Sequence, residues 1–510
     1  MIRTPLRPLA RIIEARRQGL NPDVIEAQER AKRNNYTDQA MRERAQVRLK
    51  FLGLAFCVGF FAVAGKMAVL AMSEPIAPKF VRAQSGIVSK RADIVDRNGA
   101  ILATNLITHS LYAQPHQMIE PEVAAARLAE IFPDINHDKL LEKFTGKRKF
   151  VWIKKKISPE QKQLVHDIGE PGLLFGPREM RLYPNGKLAA HILGGAGFGK
   201  EDVRGAELIG VAGVERFFDA RMRDPAQVDI PLQLSIDLTA QATTRRVLEG
   251  GMKIMHAKGA AAILMDVHTG EIVSMVSLPD FDPNDRPAPL LTGDQSDSPL
   301  FNRAAQGVYE LGSTFKLFAA AASLENGLVT EDTMIDTRGP IRWGKFKIRD
   351  FHNYGNKLSV MDIIVKSSNI GTARMAQAAG AEVQKKLLAD LGLLKATPVE
   401  LKEAASARPL YPKNWSDLST MTISYGHGIA TTPLHLATAY AILANGGHQI
   451  APTLLKSDKP TRYGKRVLSD TTSKSLMRML RAVVTRGTAS LGGVEGYFVG
   501  GKTGSADKPK

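Results

Sequence analysis

Ser313-Thr314-Phe315-Lys316 opens the stretch GSTFKLFAAAASLENG, which reads as an apolar helix closed by Gly327. A serine and a lysine three residues apart share one helical face about one turn from each other. That spacing gives a hydroxyl nucleophile its base, and the exposed N–H groups and partial positive charge of a helix N-terminus favour an alkoxide beside a neutral lysine. Alone the spacing is common. Ser505 and Lys508 match it as well, with Pro509 behind them and no apolar helix, and an isolated match reads more readily as a helix-capping serine and a surface lysine. Two further groups change the weighing. Ser367-Ser368-Asn369 is the only Ser-x-Asn in the chain and would bring a second hydroxyl and an amide. Lys502-Thr503-Gly504 follows the strand-like Tyr497-Phe498-Val499 and could form one wall of a cleft.

The elements that must carry these groups belong to a helix-and-strand module starting near Leu234, where LSIDLTAQATTRRVLEGGMKIM predicts a strand and then a long amphipathic helix. KGAAAILMDVHTGEIVSMVSLPD reads as two apolar strands joined at His268-Thr269-Gly270, followed by a loop rich in Pro and Asp. TTPLHLATAYAILANGG is a further helix, with Pro433 suited to its first turn and Asn445-Gly446 to its end. Upstream, Asp96-Arg97-Asn98-Gly99 between short apolar runs is a hairpin signal. Residues 120–169 mix helical periodicity with lysine-rich stretches, and RLYPNGKLAAHILGGAG and GVAGVERFFDARM predict short helices and loops of a non-catalytic module.

The chain has 510 residues, 44% hydrophobic and 24% charged, which fits two or three folded domains and excludes a mainly disordered protein. Phe51 to Met72 is apolar except for Lys66, and as a helix it is about 33 Å long, enough to cross a hydrocarbon core of about 30 Å. Lys66 can snorkel toward the interface. Twelve basic residues against six acidic ones precede the run, so the N-terminus is expected inside and everything from about Ser73 outside. A cleaved signal peptide fits poorly, because nearly fifty residues precede the run and no small-residue cleavage site follows it. The net charge of +18 is spread along the chain without a nucleic-acid motif, which favours anionic membrane and wall polymers over nucleic acid. The single cysteine, Cys57, lies in the apolar run, excluding an intrachain disulfide and a cysteine metal site.

Ser-x-x-Lys, Ser-x-Asn and Lys-Thr-Gly in this order resemble the signature of penicillin-binding proteins and class A β-lactamases. The chain resembles the class B penicillin-binding proteins, particularly the FtsI type that builds the division septum. RADIVDRNGAILA, RLYPNGKLAAHILG and GVAGVERFFD look like that family's pedestal, and NRAAQGVYELGSTFK, KSSN, SYGHGIATTPLHLATAYAILANGG and VVTRGTA like its transpeptidase domain. The resemblance implies a basic cytoplasmic segment (1–48), a single transmembrane helix (49–72), an α+β pedestal of dimerisation type (73–233) and an α/β transpeptidase domain with a sheet flanked by helices (234–510). It also implies catalytic Ser313, Lys316, Ser367 and Asn369, and substrate-binding Lys502, Thr503, Gly504 and Ser505. Ser313 would attack the penultimate D-alanine carbonyl of a stem peptide and Lys316 take its proton. Ser367 would relay a proton to the leaving D-alanine, and Asn369 would orient the peptide and Lys316. Lys502 and Thr503 would meet the terminal carboxylate or its β-lactam mimic, Gly504 would leave room for the substrate backbone, and the N–H groups of Ser313 and Ser505 would form the oxyanion hole.

No metal or cofactor is implied. The implied partners are D-Ala-D-Ala stem peptides, β-lactams, a SEDS-family glycosyltransferase and other divisome membrane proteins, at the division site of the inner membrane with the catalytic domain outside. Leu311 stands where the family usually has proline, and Ser505 where it has threonine. The family also continues for several dozen residues beyond this motif, so the 502–504 strand is expected to lack a neighbour, stay loose and acylate more slowly than a longer form. The rival readings are a sidewall-elongation transpeptidase, a D,D-carboxypeptidase or β-lactamase that passes the acyl group to water, and a non-enzymatic sensor or scaffold. A sensor would need a cytoplasmic output domain, which the short basic N-terminus does not offer.

Overall fold

The computed structural model describes residues 9–72, 90–201, 206–458 and 463–507. It divides into two compact units, residues 1–85 and 86–510. The first unit holds the helices Leu9–Arg17 and Pro22–Met72. Pro22 occupies the first helical turn, and the Asn21 side chain accepts a hydrogen bond from the Asp23 N–H at 3.0 Å. Among the described residues, Ala45–Met67 is the stretch long and apolar enough to span a membrane, with a mean hydropathy of 1.9, and it is not buried. Phe60 and Phe61 are 73% and 80% exposed, as expected of a helix whose solvent is lipid. The predicted span at 51–72 overlaps this stretch, whereas its exit at Ser73 lies outside the described residues.

The second unit begins with a five-stranded sheet. Asp96 Oδ1 accepts from Asn98 N and Ala100 N at 2.8 Å each, and Gly99 takes a φ of 88°, so the predicted hairpin forms between Ile94–Val95 and Ile101–Ala113. Ile101–Ala113 pairs antiparallel with both Val151–Ile157 and Leu173–Leu182, while Ile94–Val95 pairs parallel with Leu232–Gln233. The helices Pro121–Ile131, His137–Thr145 and Pro159–His166 cover the sheet through Leu128, Phe132, Leu140, Phe144 and Val165.

The three pedestal segments singled out in the sequence converge on one buried ionic knot. Glu215 from GVERFF accepts from Arg91 Nε at 2.6 Å and from Arg181 Nε at 2.7 Å. Arg91 also reaches Asp219 at 2.6 Å, and the Tyr183 phenol donates to Glu215 at 3.3 Å. The Arg91 and Glu215 side chains are fully buried.

Downstream, the Leu238–Ile254 helix packs on the hairpin Ala260–Met265 and Ile272–Leu278, whose turn is held by Asp266 Oδ1 accepting from His268 N and Thr269 N. Around it lies a helical core centred on Lys316–Glu325, buried from Lys316 through Ser323. Val360–Lys366, Asn369–Ala379, Asp417–Ser424, Pro433–Ala444 and Asp470–Arg486 surround it. Pro433 and Asn445 occupy their predicted start and end positions. One apolar cluster runs from Ile94, Leu102 and Val214 to Leu234, Met275, Ala304 and Leu454, joining the pedestal and catalytic segments across residue 233. The strand expected at 497–504 is not formed: residues 498–507 carry no ladder to any described strand. Instead, the segment is tied to the Asp470–Arg486 helix by Gly501 N donating to Leu480 O at 3.1 Å and by the Arg481 guanidinium donating to Val499 O at 2.8 Å.

Candidate active site

Ser313 lies in a single 3₁₀ turn, Gly312–Phe315, that leads directly into the Lys316–Glu325 helix. The turn is pinned from behind by Tyr440, whose phenol donates to Thr314 O at 2.8 Å and whose ring packs edge-on against Phe318. Gly312 adopts a φ of 56°, and a Cβ there would stand 2.2 Å from Ser505 O. A Cβ on Gly504 would in turn meet Leu311 O at 2.6 Å. Two glycines therefore let the 502–505 backbone lie against the serine turn. The close approach that requires glycine at 504 in this structure is to the serine loop.

Lys316 is 1% exposed. Its ammonium donates to Ser367 O and, at 3.0 Å, to Ser367 Oγ. Lys502 Nζ reaches the same Oγ at 2.9 Å and Thr503 O at 3.0 Å, so two lysines from distant segments converge on one hydroxyl. Burial lowers Lys316 to about 7, helped by the charge on Lys502 and opposed by Asp350. Burial likewise brings Lys502 to about 8. Lys316 is thus poised to exchange a proton near neutrality, one turn from Ser313.

Ser367 terminates the Val360–Lys366 helix in a left-handed conformation, φ 61° and ψ 44°, which is rare for a side-chain-bearing residue and typical of functional strain. The following Ser368 caps the next helix by accepting from Gly371 N at 3.0 Å and donates to Asp350 Oδ2 at 2.7 Å, while Asp350 Oδ1 accepts from Ile370 N at 3.0 Å. Asp350 therefore fixes the turn that presents Ser367. Sequence reasoning missed it, since a carboxylate reaching across from a separate loop leaves no local pattern. Asn369 was expected to orient Lys316, yet its amide donates to Arg349 O at 2.8 Å, and Lys316 is held by Ser367. At the exposed rim Thr503 Oγ1 meets Thr488 Oγ1 at 2.9 Å. Ser505 is exposed with no helix behind it, and Lys508 of that second Ser-x-x-Lys match lies outside the described residues.

Residues 260–510 match the penicillin-binding protein transpeptidase domain, and residues 86–228 match the penicillin-binding protein dimerisation domain. The chain is 36% identical to the probable peptidoglycan D,D-transpeptidase FtsI of Caulobacter vibrioides over 83% of its own length and 70% of that relative. The chain belongs to the class B penicillin-binding proteins. This penicillin-binding protein is also 30% identical to the probable peptidoglycan D,D-transpeptidase PenA of Neisseria meningitidis, covering 84% of the chain and 76% of the relative. To the peptidoglycan D,D-transpeptidase FtsI of Escherichia coli K12 it is 28% identical, over 83% and 74%. The knot of Arg91, Arg181 and Glu215 falls within the dimerisation match, and Ser313, Ser367 and Lys502 within the transpeptidase match.

Proposed function

We propose that this chain is a membrane-anchored serine D,D-transpeptidase that cross-links peptidoglycan stem peptides during septal wall synthesis and is inhibited by β-lactams. The observation that carries the reading is Lys316, buried and lowered to about 7, one turn from Ser313 and bridged through Ser367 to Lys502. The septal assignment follows the relatives named FtsI.

In this mechanism neutral Lys316 takes the Ser313 proton as Oγ attacks the carbonyl of the penultimate D-alanine. The N–H groups of Ser313 and Ser505 receive the oxyanion, an interaction of which each donor is typically worth about 3–4 kcal/mol. Collapse breaks the peptide bond, and the leaving D-alanine amine gains its proton through Ser367, which lies within hydrogen-bond reach of Lys316. The amine of a second stem peptide then attacks the Ser313 ester, forming the cross-link and freeing the serine. A β-lactam stops at the ester because its leaving amine remains tethered. Lys502 and Thr503 hold the terminal carboxylate, Gly504 keeps their segment against the serine loop, and Asn369 lines the peptide path.

The domain limits proposed are a cytoplasmic segment at 1–48, a membrane helix at 49–72, a pedestal at 73–233 and a transpeptidase domain at 234–510. A SEDS-family glycosyltransferase and other divisome membrane proteins are the proposed partners, at the division site of the inner membrane. Fluorescent penicillin tests the assignment: the label should map to Ser313 by mass spectrometry and disappear in Ser313→Ala. An amine acceptor should be joined to a D-Ala-D-Ala donor; release of D-alanine with water as the only acceptor would make the protein a hydrolase.

A further inference from the structure

Beside the site stands a hairpin that the acyl-transfer steps leave unused. Ile341–Trp343 and Phe346–Ile348 pair antiparallel, with Ile341 opposite Ile348, Arg342 opposite Lys347 and Trp343 opposite Phe346. Its base is seated, since Ile348 is 5% exposed and packs with Ala373 and Met421. The next two residues are Arg349 and Asp350, whose carbonyl and carboxylate hold Asn369, Ser368 and Ile370. The hairpin therefore rises from the same loop that fixes Ser367, with Phe346 about 10 Å of extended chain from Arg349.

Strand alternation sets Ile341, Trp343, Phe346 and Ile348 on one face and Arg342 and Lys347 on the other. Like charges directly opposite each other across strands repel. Arg342, Lys345, Lys347 and Arg349 nonetheless form no ion pair among the described residues, and all four are exposed. Trp343 and Phe346 are 40% and 52% exposed, the Lys345 ammonium lies 5.7 Å from the Phe346 ring centroid, and Phe351 is 87% exposed. Unpaired cations interleaved with open aromatic rings suit a ligand that is anionic and presents apolar faces.

We propose that this hairpin is an extended subsite for the peptidoglycan strand, with Arg342 and Lys347 taking stem-peptide carboxylates and Trp343 and Phe346 stacking on sugar rings. The proposal rests on the transpeptidase reading above. An anionic lipid surface would meet the same charges, but the direct continuity with the Ser367 loop favours the polymer on which that loop acts.

The test is co-sedimentation of the full chain in detergent with purified sacculi, native or with their carboxylates amidated, alongside binding to anionic phospholipid vesicles. Amidation should weaken binding of the unaltered chain about tenfold. The Arg342→Ala, Lys347→Ala double variant should bind native sacculi about tenfold more weakly and ignore amidation. Trp343→Ala should weaken binding while keeping its dependence on salt. Thermal melts identify any variant that unfolds, and Arg342→Gln then replaces it. Undiminished sacculus binding by a folded charge variant, or charge-dependent binding to vesicles alone, overturns the subsite. Penicillin labelling of the unaltered chain is the separate control: its failure strikes the transpeptidase reading, whereas a labelled chain indifferent to amidation strikes only the hairpin.

Discussion

For Lys316 to accept a proton near neutrality its charged form has to be destabilised, and burial supplies most of that, with Lys502 adding repulsion. The acylation rate should therefore rise with pH through about 7 and level off above it, and a flat profile across that range would remove Lys316 as the base. Lys316→Arg should abolish acylation, because a guanidinium keeps its proton at any working pH. The same shift should show in stability. With a folded value near 7 against an ordinary 10.5, the unfolded chain binds more protons between those limits, so this group's contribution improves as pH rises through the window. The melting difference between the unaltered chain and Lys316→Met should move in favour of the unaltered chain from pH 7 to about 10. At Ser367 the left-handed backbone separates strain from chemistry. Ser367→Gly should be more stable than Ser367→Ala by about 1 kcal/mol in denaturant unfolding, while both lose the hydroxyl that the lysines share.

Elements whose signals are local were legible in the sequence. Asp96 to Gly99 and Asp266 to Gly270 encode their turns in side-chain-to-backbone hydrogen bonds, and Pro433 with Thr432 encodes a helix start, so these fell where expected. Val151–Ile157 was not legible as a strand because three of its seven residues are lysines. Lys154 and Lys156 lie over the rings of Phe132 and Phe198, stabilisation that depends on tertiary neighbours. Serine, lysine and Ser-x-Asn were readable as a set, but Asp350 and the route of Asn369 to Arg349 were not, since both contacts join separate loops. At 497–504 apolar residues suggested a strand without a neighbour, and no ladder to a described strand forms there. Hydrogen exchange should reflect this: amides from Val499 to Ser505 should exchange orders of magnitude faster than those of the Lys316–Glu325 helix. Gly501, bonded to Leu480 O, should be the slowest of them, and uniform protection across both segments would contradict the fold described.

At the scale of the whole molecule, the pedestal and catalytic segments share apolar residues from Ile94 to Leu454 and are not separable beads. Breaking the pedestal's ionic knot should therefore be felt at the serine. Glu215→Ala leaves two buried arginines without their shared carboxylate and should cost about 3–5 kcal/mol. Calorimetry of residues 86–510 should show one cooperative transition that moves down as a unit, and a second, unmoved transition would refute the shared core. The assembly of the site has a further consequence in time. Ser313, Lys316, Ser367 and Lys502 enter in chain order, and the ammonium that completes the bridge through Ser367 comes from the last of them. A chain made from its N-terminus has its nucleophile and base long before Lys502 can reach Ser367 or the 502–505 backbone can close on Gly312. Chains stopped short of Lys502 should remain dark to fluorescent penicillin although they carry Ser313, Lys316 and Ser367, so activity is acquired only as the 502–505 segment docks.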